Sequence, residues 1–298
     1  FSRLLPKMTI DYDCSGYDVY YMKSEDRFIR SSKFSEERNS AVSEFNARHT
    51  RPERLMAALF SDTTFITRYQ TQNPVSMRPI QGRPEQPGTA YSAVRDHSAT
   101  FYNQLYEVAA NMQSHDLGFN LNDIFTYEEW YDNFTKNNVY WYSVSAFSPL
   151  TDNIVPYGHA SLLQDILDKA NAAMNNGSTN ANLRFGHDDV LFPLLCLMEV
   201  NDCEWSVSDL ERVADKWVAY NIVHMGSNLQ LVFYKNKTGP VLVKALLNEA
   251  EADLPVESYR DSKGKVFKHY YEWEKVNKYY QEKLDAFYAK KSETEKGK

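Results

Sequence analysis

Three residues suited to acid-base chemistry occur together, His187, Asp188 and Asp189, directly after Gly186. Residues 181–186 before them predict a short strand, and the apolar run 190–195 after them predicts a helix. The imidazole and the carboxylates then stand at the start of a helix, where free backbone N–H groups and the helix dipole both favour negative charge. The pattern predicts an anion site, with phosphate as the first ligand to consider.

Strands are predicted near both ends of the chain, with helices between them. Alternating apolar residues predict extended segments at 8–13 and 18–22 and a hairpin formed by 228–235 and 241–247. Apolar stripes predict helices at 52–60, 98–114, 161–176 and from about 268 onward. This order is typical of an α/β domain interrupted by an inserted helical cap.

The same order predicts the domain boundaries. Residues 1–24 and 151–298 form the α/β core in this interpretation, and residues 25–150 form the mainly helical cap. Ligands in such folds bind at the carboxyl ends of the strands. A strand over 182–186 places His187 at such an end.

Helix starts are predicted from capping boxes, in which a Ser or Thr is followed three residues later by Glu or Gln. The three candidate boxes are Thr126 with Glu129, Ser161 with Gln164, and Ser208 with Glu211. Gly177 is predicted to end the helix over 161–176. The residues predicted to face the core are Phe101, Leu105, Val108 and Met112 in one helix and Trp273, Val276, Tyr280, Leu284 and Phe287 in the last.

Composition excludes several classes of protein. The 33 basic and 40 acidic side chains give a net charge of −7, so nucleic acid is not an expected partner. No apolar run approaches the roughly 20 residues of a membrane-spanning helix. Cys14, Cys196 and Cys203 match no zinc or redox motif and are expected to be buried free thiols.

Residues 183–198, Leu-Arg-Phe-Gly-His-Asp-Asp-Val-Leu-Phe-Pro-Leu-Leu-Cys-Leu-Met, resemble the second active-site motif of the histidine acid phosphatases. The resemblance is strongest to the branch that contains multiple inositol polyphosphate phosphatases and bacterial phytases. Four further segments, 11–22, 200–205, 228–236 and 243–249, are similar to that branch in the same order. The resemblance implies a histidine-phosphatase-like sheet domain flanked by helices, with the helical cap inserted.

The resemblance also implies a function and a set of residues. It implies a phosphomonoesterase that works through a phosphohistidine intermediate, with no cofactor or metal, on phytate or another small organic phosphate. His187 matches the histidine that holds the phosphate. The acid that protonates the leaving oxygen matches Asp188, or Asp189 in the inositol polyphosphate branch, and Asp188 is preferred.

Substrate contacts and location follow from the same resemblance. His224 and Met225 are similar to a segment that lines the pocket in the family. Arg27, Arg30 and Arg78 are candidate substrate-binding residues because they offer positive charge in the cap. The family implies a periplasmic or extracellular location.

The nucleophile motif Arg-His-Gly-x-Arg-x-Pro does not occur in the chain. Arg48-His49-Thr50-Arg51-Pro52 lacks its glycine and arginine spacing and is interpreted as a helix linker. The chain resembles the C-terminal two thirds of the family, so the nucleophile is expected upstream of Phe1 or on a separate N-terminal fragment. The alternative is a non-catalytic protein that binds phosphorylated ligands, or glycans through its aromatic rings.

Overall fold

The computed structural model describes residues 9–12, 14, 20–22, 32–61, 98–177 and 180–296. The candidate substrate residues Arg27, Arg30 and Arg78 lie outside these ranges. The α-helices are α1 (Ser32–Arg48), α2 (Glu53–Leu59), α3 (Ser98–Asn111), α4 (Tyr127–Ser145), α5 (Ala160–Asn176), α6 (Asp188–Leu197), α7 (Ala219–Ile222) and α8 (Trp273–Lys296). The strands are β1 (Leu229–Tyr234), β2 (Leu242–Leu247), β3 (Ala250–Ala252), β4 (Tyr259–Arg260), β5 (Val266–Phe267) and β6 (Tyr271–Glu272).

Short 3-10 helices connect these elements. They are Tyr20–Met22, Met112–Ser114, Asn122–Ile124, Pro149–Thr151, Val155–His159, Val200–Asp202 and Leu210–Asp215. Across the described ranges, no helix combines the length and the apolar character needed to cross a bilayer.

The chain divides into two compact units. The first contains residues 1–42 and 138–298, and the second contains residues 43–137, with one boundary inside α4. The domain division predicted from the sequence, with a cap over 25–150, stays a prediction.

The second unit has a helical core made by α2, α3 and the residues around Phe125. Leu55, Tyr102, Ala109 and Phe125 are buried together there. The predicted inner stripe of α3 is partly wrong, because Phe101 and Val108 are exposed. The buried face passes instead through Tyr102 and Ala109, seven residues or two helical turns apart.

The capping box at the start of α4 is confirmed. The backbone N–H of Thr126 donates to Glu129 Oε2 at 2.8 Å, and the N–H of Glu129 donates to Thr126 Oγ1 at 3.2 Å. Two N–H groups that have no partner inside the helix are thereby satisfied.

The first unit contains a four-stranded antiparallel sheet in which β2 pairs with β1 on one side and with β3 and β6 on the other. The predicted hairpin is confirmed, with Leu229 opposite Leu247 and Tyr234 opposite Leu242. The long helix α8 has the buried stripe that was predicted. It consists of Trp273, Val276, Tyr280, Leu284 and Phe287.

Three of the predicted strands do not form over their described residues. The described residues 9–12 have no regular structure, and Tyr20–Met22, predicted as extended, forms a single 3-10 turn. Residues 182–186 also form no part of either β-sheet. A strand requires a neighbour that supplies backbone hydrogen bonds, and no described residue provides one to that segment.

Two predicted caps are also wrong. The 3-10 helix Val155–His159 runs directly into α5, so Ser161 lies inside the helix, and its hydroxyl donates to the carbonyl oxygen of Tyr21 at 3.1 Å. Asp209 rather than Ser208 caps the next helix, which is a 3-10 helix, by accepting from the N–H of Glu211 at 3.1 Å. Gly177 ends α5 in the left-handed conformation (φ 64°), as predicted.

The cysteines differ from the expectation at one position. Cys196 and Cys203 are buried and free, whereas Cys14 is exposed. Leu195 and Leu197, which flank Cys196 in α6, are completely buried as well.

Candidate functional site

His187 lies at the entrance of α6. It is the N-cap residue, with an extended backbone (φ −114°, ψ 169°), and its carbonyl oxygen accepts from the N–H groups of Val190 at 3.2 Å and Leu191 at 3.1 Å. Its exposed imidazole therefore stands beside a helix N-terminus, which is a favourable position for an anion.

The two carboxylates that follow differ in their surroundings. Asp188 borders the cleft described below, and its Oδ1 accepts from the N–H of Asp189 at 2.9 Å. Oδ2 of Asp188 accepts no hydrogen bond from the described part of the chain, which leaves it available to a ligand or a proton. Asp189 is exposed in the first turn of α6 and does not border the cleft.

An ion pair anchors the extended segment that leads to His187. The guanidinium of Arg184 pairs with the carboxylate of Asp165 on α5, and the two side chains are only 21% and 19% exposed. The Nε atom of Arg184 is buried, and no described residue accepts a hydrogen bond from it. Because α5 is a rigid element, this pair holds the approach to His187 in place.

A tight turn presents the second histidine of the site. The N–H of Ser227 donates to the carbonyl oxygen of His224 at 3.0 Å, and the N–H of His224 donates to Ser227 Oγ at 2.6 Å. Gly226 has φ +74°, as the third position of a type II turn requires. Met225, at the tip of the turn, is 99% exposed.

A cleft of about 1270 Å³ brings these groups together. His187 and Asp188 border it from α6, and His224 and Met225 border it from the turn before β1. The sequence placed His187 and His224 in separate segments 37 positions apart, and the fold brings them to one cavity. This volume is slightly above the range that is typical of small-molecule sites.

The charged side chains that border the cleft are mostly basic. Lys169, Arg184 and Lys235 contribute positive charge, and Asp188 contributes the negative charge. The sequence analysis did not single out Lys169 or Lys235 as site residues, because Lys169 belongs to no motif and Lys235 lies at the end of a predicted strand. Lys235 is fixed by a hydrogen bond from its Nζ to the carbonyl oxygen of Met174 at 2.5 Å. A basic cleft on a protein of net charge −7 attracts anions locally.

The segment that superficially resembles a nucleophile motif has a structural role. His49 Nδ1 lies 2.8 Å from Asp132 Oδ1, and Arg51 pairs with the other oxygen of Asp132 at 3.1 Å. Pro52 is the N-cap residue of α2. The interpretation as a helix linker agrees with these contacts. Over the described ranges, no three His, Cys, Asp or Glu side chains are placed to hold a metal ion.

Comparison with solved structures shows which known fold the chain resembles. Two crystal structures of multiple inositol polyphosphate phosphatase from Bifidobacterium longum superpose on the chain. The complex with inositol hexasulfate has a TM-score of 0.59 at 19% identity, and the complex with phosphate has 0.61 at 18%. The chain thus has a mixed helix and sheet architecture that is similar to the histidine phosphatase fold.

The matched regions cover 89% and 88% of this chain but only 57% and 58% of the two phosphatase chains. The chain therefore spans less than three fifths of their length. No protein-family model matches the chain, and no curated protein matches its sequence.

Proposed function

We propose that this protein is part of a phosphomonoester hydrolase that works through a phosphohistidine intermediate, with the nucleophilic histidine upstream of Phe1. The observation that carries the proposal is the presence of His187 and Asp188, at the start of α6, on the same cleft as His224. An imidazole and a carboxylic acid beside a helix N-terminus are the groups needed to hold a phosphate and protonate a leaving oxygen.

The proposed reaction has two steps. The nucleophilic imidazole attacks phosphorus, and the bond to the leaving oxygen breaks while Asp188 donates its proton to that oxygen. The resulting carboxylate then removes a proton from water, whose oxygen attacks phosphorus while the P–N bond breaks, and inorganic phosphate and the free nucleophilic imidazole are released. In both steps His187 donates a hydrogen bond to a phosphoryl oxygen, and the N-terminus of α6 stabilises the negative charge.

The positions of the two carboxylates favour Asp188 as the acid. Asp188 borders the cleft and Asp189 does not. The hydrogen bond from the N–H of Asp189 engages Oδ1 of Asp188, so Oδ2 is the atom assigned to carry the proton.

The proposed substrate is phytate or another small organic phosphate. The basic groups Lys169 and Lys235 on the cleft, with Arg184 held in its ion pair with Asp165, support a ligand that carries negative charge. One of the similar crystal structures holds inositol hexasulfate and the other holds phosphate. A periplasmic or extracellular location remains part of this proposal.

The decisive test is phosphate release by the complete protein and its Asp188→Asn variant. On phytate, whose inositol oxygen is a poor leaving group, the substitution is expected to lower kcat by about 100-fold or more, since general acid catalysis contributes on that scale. On p-nitrophenyl phosphate, whose leaving group needs little protonation, the expected loss is about 10-fold or less.

Asp189→Asn is the matched control and should change both rates little. Equal phytate hydrolysis by the wild type and Asp188→Asn would contradict the assignment of the acid. Tight binding of phytate with no phosphate release from the complete protein would instead support a non-catalytic phosphate-binding protein.

A further inference from the structure

A tight turn joins β2 to β3 through two residues, Asn248 and Glu249. Both have positive φ, 53° and 63°, and Leu247 and Ala250 on either side of them pair with each other in the sheet. Two central residues with positive φ are what a type I′ hairpin turn requires, and asparagine and glycine are favoured there. The turn therefore explains why an asparagine occupies position 248, but it does not explain the contacts of its side chain.

The side-chain amide of Asn248 contacts both ends of the loop that carries His224. Its Nδ2 donates to the carbonyl oxygen of Ile222 at 3.3 Å, and its Oδ1 accepts from the N–H of Asn228 at 3.2 Å. Ile222 is the last residue of α7, and Asn228 directly precedes β1, so the loop between the two contacts consists of residues 223–227. One planar group thus holds the two ends of the loop together.

The end of this loop at Asn228 has further contacts with the same turn. The carbonyl oxygen of Asn228 accepts from the N–H of Asn248 at 2.9 Å, and its Nδ2 donates to Glu249 Oε1 at 2.9 Å. Its Oδ1 accepts from Gln230 Nε2 at 2.9 Å. Both the backbone and the side chain of Asn228 are therefore fixed to the turn between β2 and β3.

The loop borders the cleft, whereas Asn248 and Glu249 do not. All residues from 223 to 228 line the cleft. The imidazole of His224 is exposed, and its Nδ1 lies 3.3 Å from the carbonyl oxygen of Met225. A hydrogen bond from Nδ1 to that oxygen leaves Nε2 for a ligand. Because Asn248 is not part of the cleft wall, its effect on a ligand there must be transmitted by the loop.

We propose that Asn248 is a positioning residue, which closes the loop 223–227 and so holds His224 in place to bind an anionic ligand in the cleft. The inference rests on the proposed function in one respect, the phosphorylated nature of that ligand. A loop that is already ordered loses less conformational entropy when the ligand binds, so binding is tighter. Since His187 and Asp188 belong to α6, loss of the closure should weaken binding and leave the chemical step nearly unchanged.

Substitutions at position 248 separate the turn from the side chain. Glycine also favours positive φ, so Asn248→Gly should retain the turn while it removes both side-chain hydrogen bonds. Asn248→Asp keeps an oxygen that accepts from Asn228 but loses the donor to Ile222, and it should have an intermediate effect. Asn236→Gly is the matched control, because Asn236 is an exposed residue of the turn between β1 and β2, and its Oδ1 accepts only a local hydrogen bond from the N–H of Lys237.

Hydrogen–deuterium exchange of the complete protein, followed by mass spectrometry, tests the closure. Peptides that cover residues 223–228 should exchange at least about 10-fold faster in Asn248→Gly than in the wild type, because the loop opens more often. Peptides from the interior of α8 should exchange alike in both proteins and serve as an internal control. Asn236→Gly should leave both sets of peptides unchanged.

Binding and kinetics of the complete protein test the positioning. In Asn248→Gly, KM for phytate should rise about 10-fold, while kcat should change by less than about 2-fold. Calorimetric titration with phytate in the Asp188→Asn background, where turnover is slow, should show a similar loss of affinity of about 10-fold. Asn236→Gly should change neither quantity.

The outcomes separate this inference from the proposed function. Loop exchange that is the same in the wild type and Asn248→Gly would overturn the closure. Faster loop exchange at unchanged phytate affinity, or a fall in kcat at constant KM, would overturn the positioning of His224. If Asn248→Gly does not fold, Asn248→Asp decides the same questions. A complete protein that binds phytate but releases no phosphate would contradict the proposed function, and weaker phytate binding by Asn248→Gly would still support the inference.

Discussion

Arg184 and Asp165 form an ion pair that joins the segment before His187 to the second turn of α5. The two side chains are mostly shielded from water, so removing one charge leaves the other poorly compensated. Asp165→Asn is expected to lower the free energy of unfolding by about 2 kcal/mol. Urea denaturation measures this loss. Asp168→Asn, at an exposed position on the same helix, should change stability by less than about 0.5 kcal/mol.

Arg54 stabilises the start of α4 through Glu129. Its Nε donates to Glu129 Oε1 at 2.7 Å, and Glu129 is buried. Arg54→Ala should lower the free energy of unfolding by about 2 kcal/mol, and circular dichroism during urea denaturation measures it. Arg212→Ala, which removes an exposed pair with Asp215, should cost only about 0.5 kcal/mol and serves as the control.

The same pair predicts a pH dependence. Burial raises the pKa of Glu129, but the hydrogen bonds from Arg54 and Thr126 outweigh it, and the pKa is lowered overall. A lowered carboxyl pKa adds stability above the unfolded-state value, and that stability is lost as the pH falls through the folded-state value. The difference in stability between wild type and Arg54→Ala should therefore shrink in acid. A constant difference would contradict this account.

Lys136 predicts a second pH dependence, in the basic range. Burial lowers its pKa to about 8, although Nζ donates to Thr50 Oγ1 at 3.0 Å and Asn103 Oδ1 at 2.7 Å. Between this value and the unfolded value of about 10.4, the unfolded chain binds more protons, so stability rises with pH. The wild type should therefore gain stability relative to Lys136→Met above pH ~8.

Urea denaturation at a series of pH values measures that relative gain, which should approach about 3 kcal/mol at high pH. The comparison with Lys136→Met removes the contributions of the cysteines and tyrosines, which are common to both proteins. A stability difference that does not change with pH would show that Lys136 titrates alike in both states.

Thiol reactivity should distinguish the three cysteines. Burial raises the pKa of Cys203 to about 12 and that of Cys196 well above its usual range, and thiolates are the reactive form. An aromatic disulfide reagent at pH ~8 is therefore expected to modify Cys14 rapidly and the other two only after unfolding. Cys14→Ser should abolish the fast phase. A second fast thiol in the native protein would contradict the burial of Cys196 or Cys203.

The sequence alone determined features that depend on residues close together in the chain. The Thr126 and Glu129 capping box, the end of α5 at Gly177, the β1 and β2 hairpin and the buried stripe of α8 all formed as predicted. Each depends on hydrogen bonds or side-chain spacing within a few residues, or on one short turn, and local physics decides such features.

Tertiary structure decided the rest. Ser161 does not cap α5, because the preceding 3-10 helix continues into it. Residues 182–186 pair with no described residue as a strand, because a strand needs a partner as well as a pattern. The packing of the chain also decided that His187, Asp188 and His224 share one cleft with Lys169 and Lys235. Residues that are distant in the sequence come close together only through the packing of helices and strands. The spacing of residues within one segment does not determine which distant residues become neighbours.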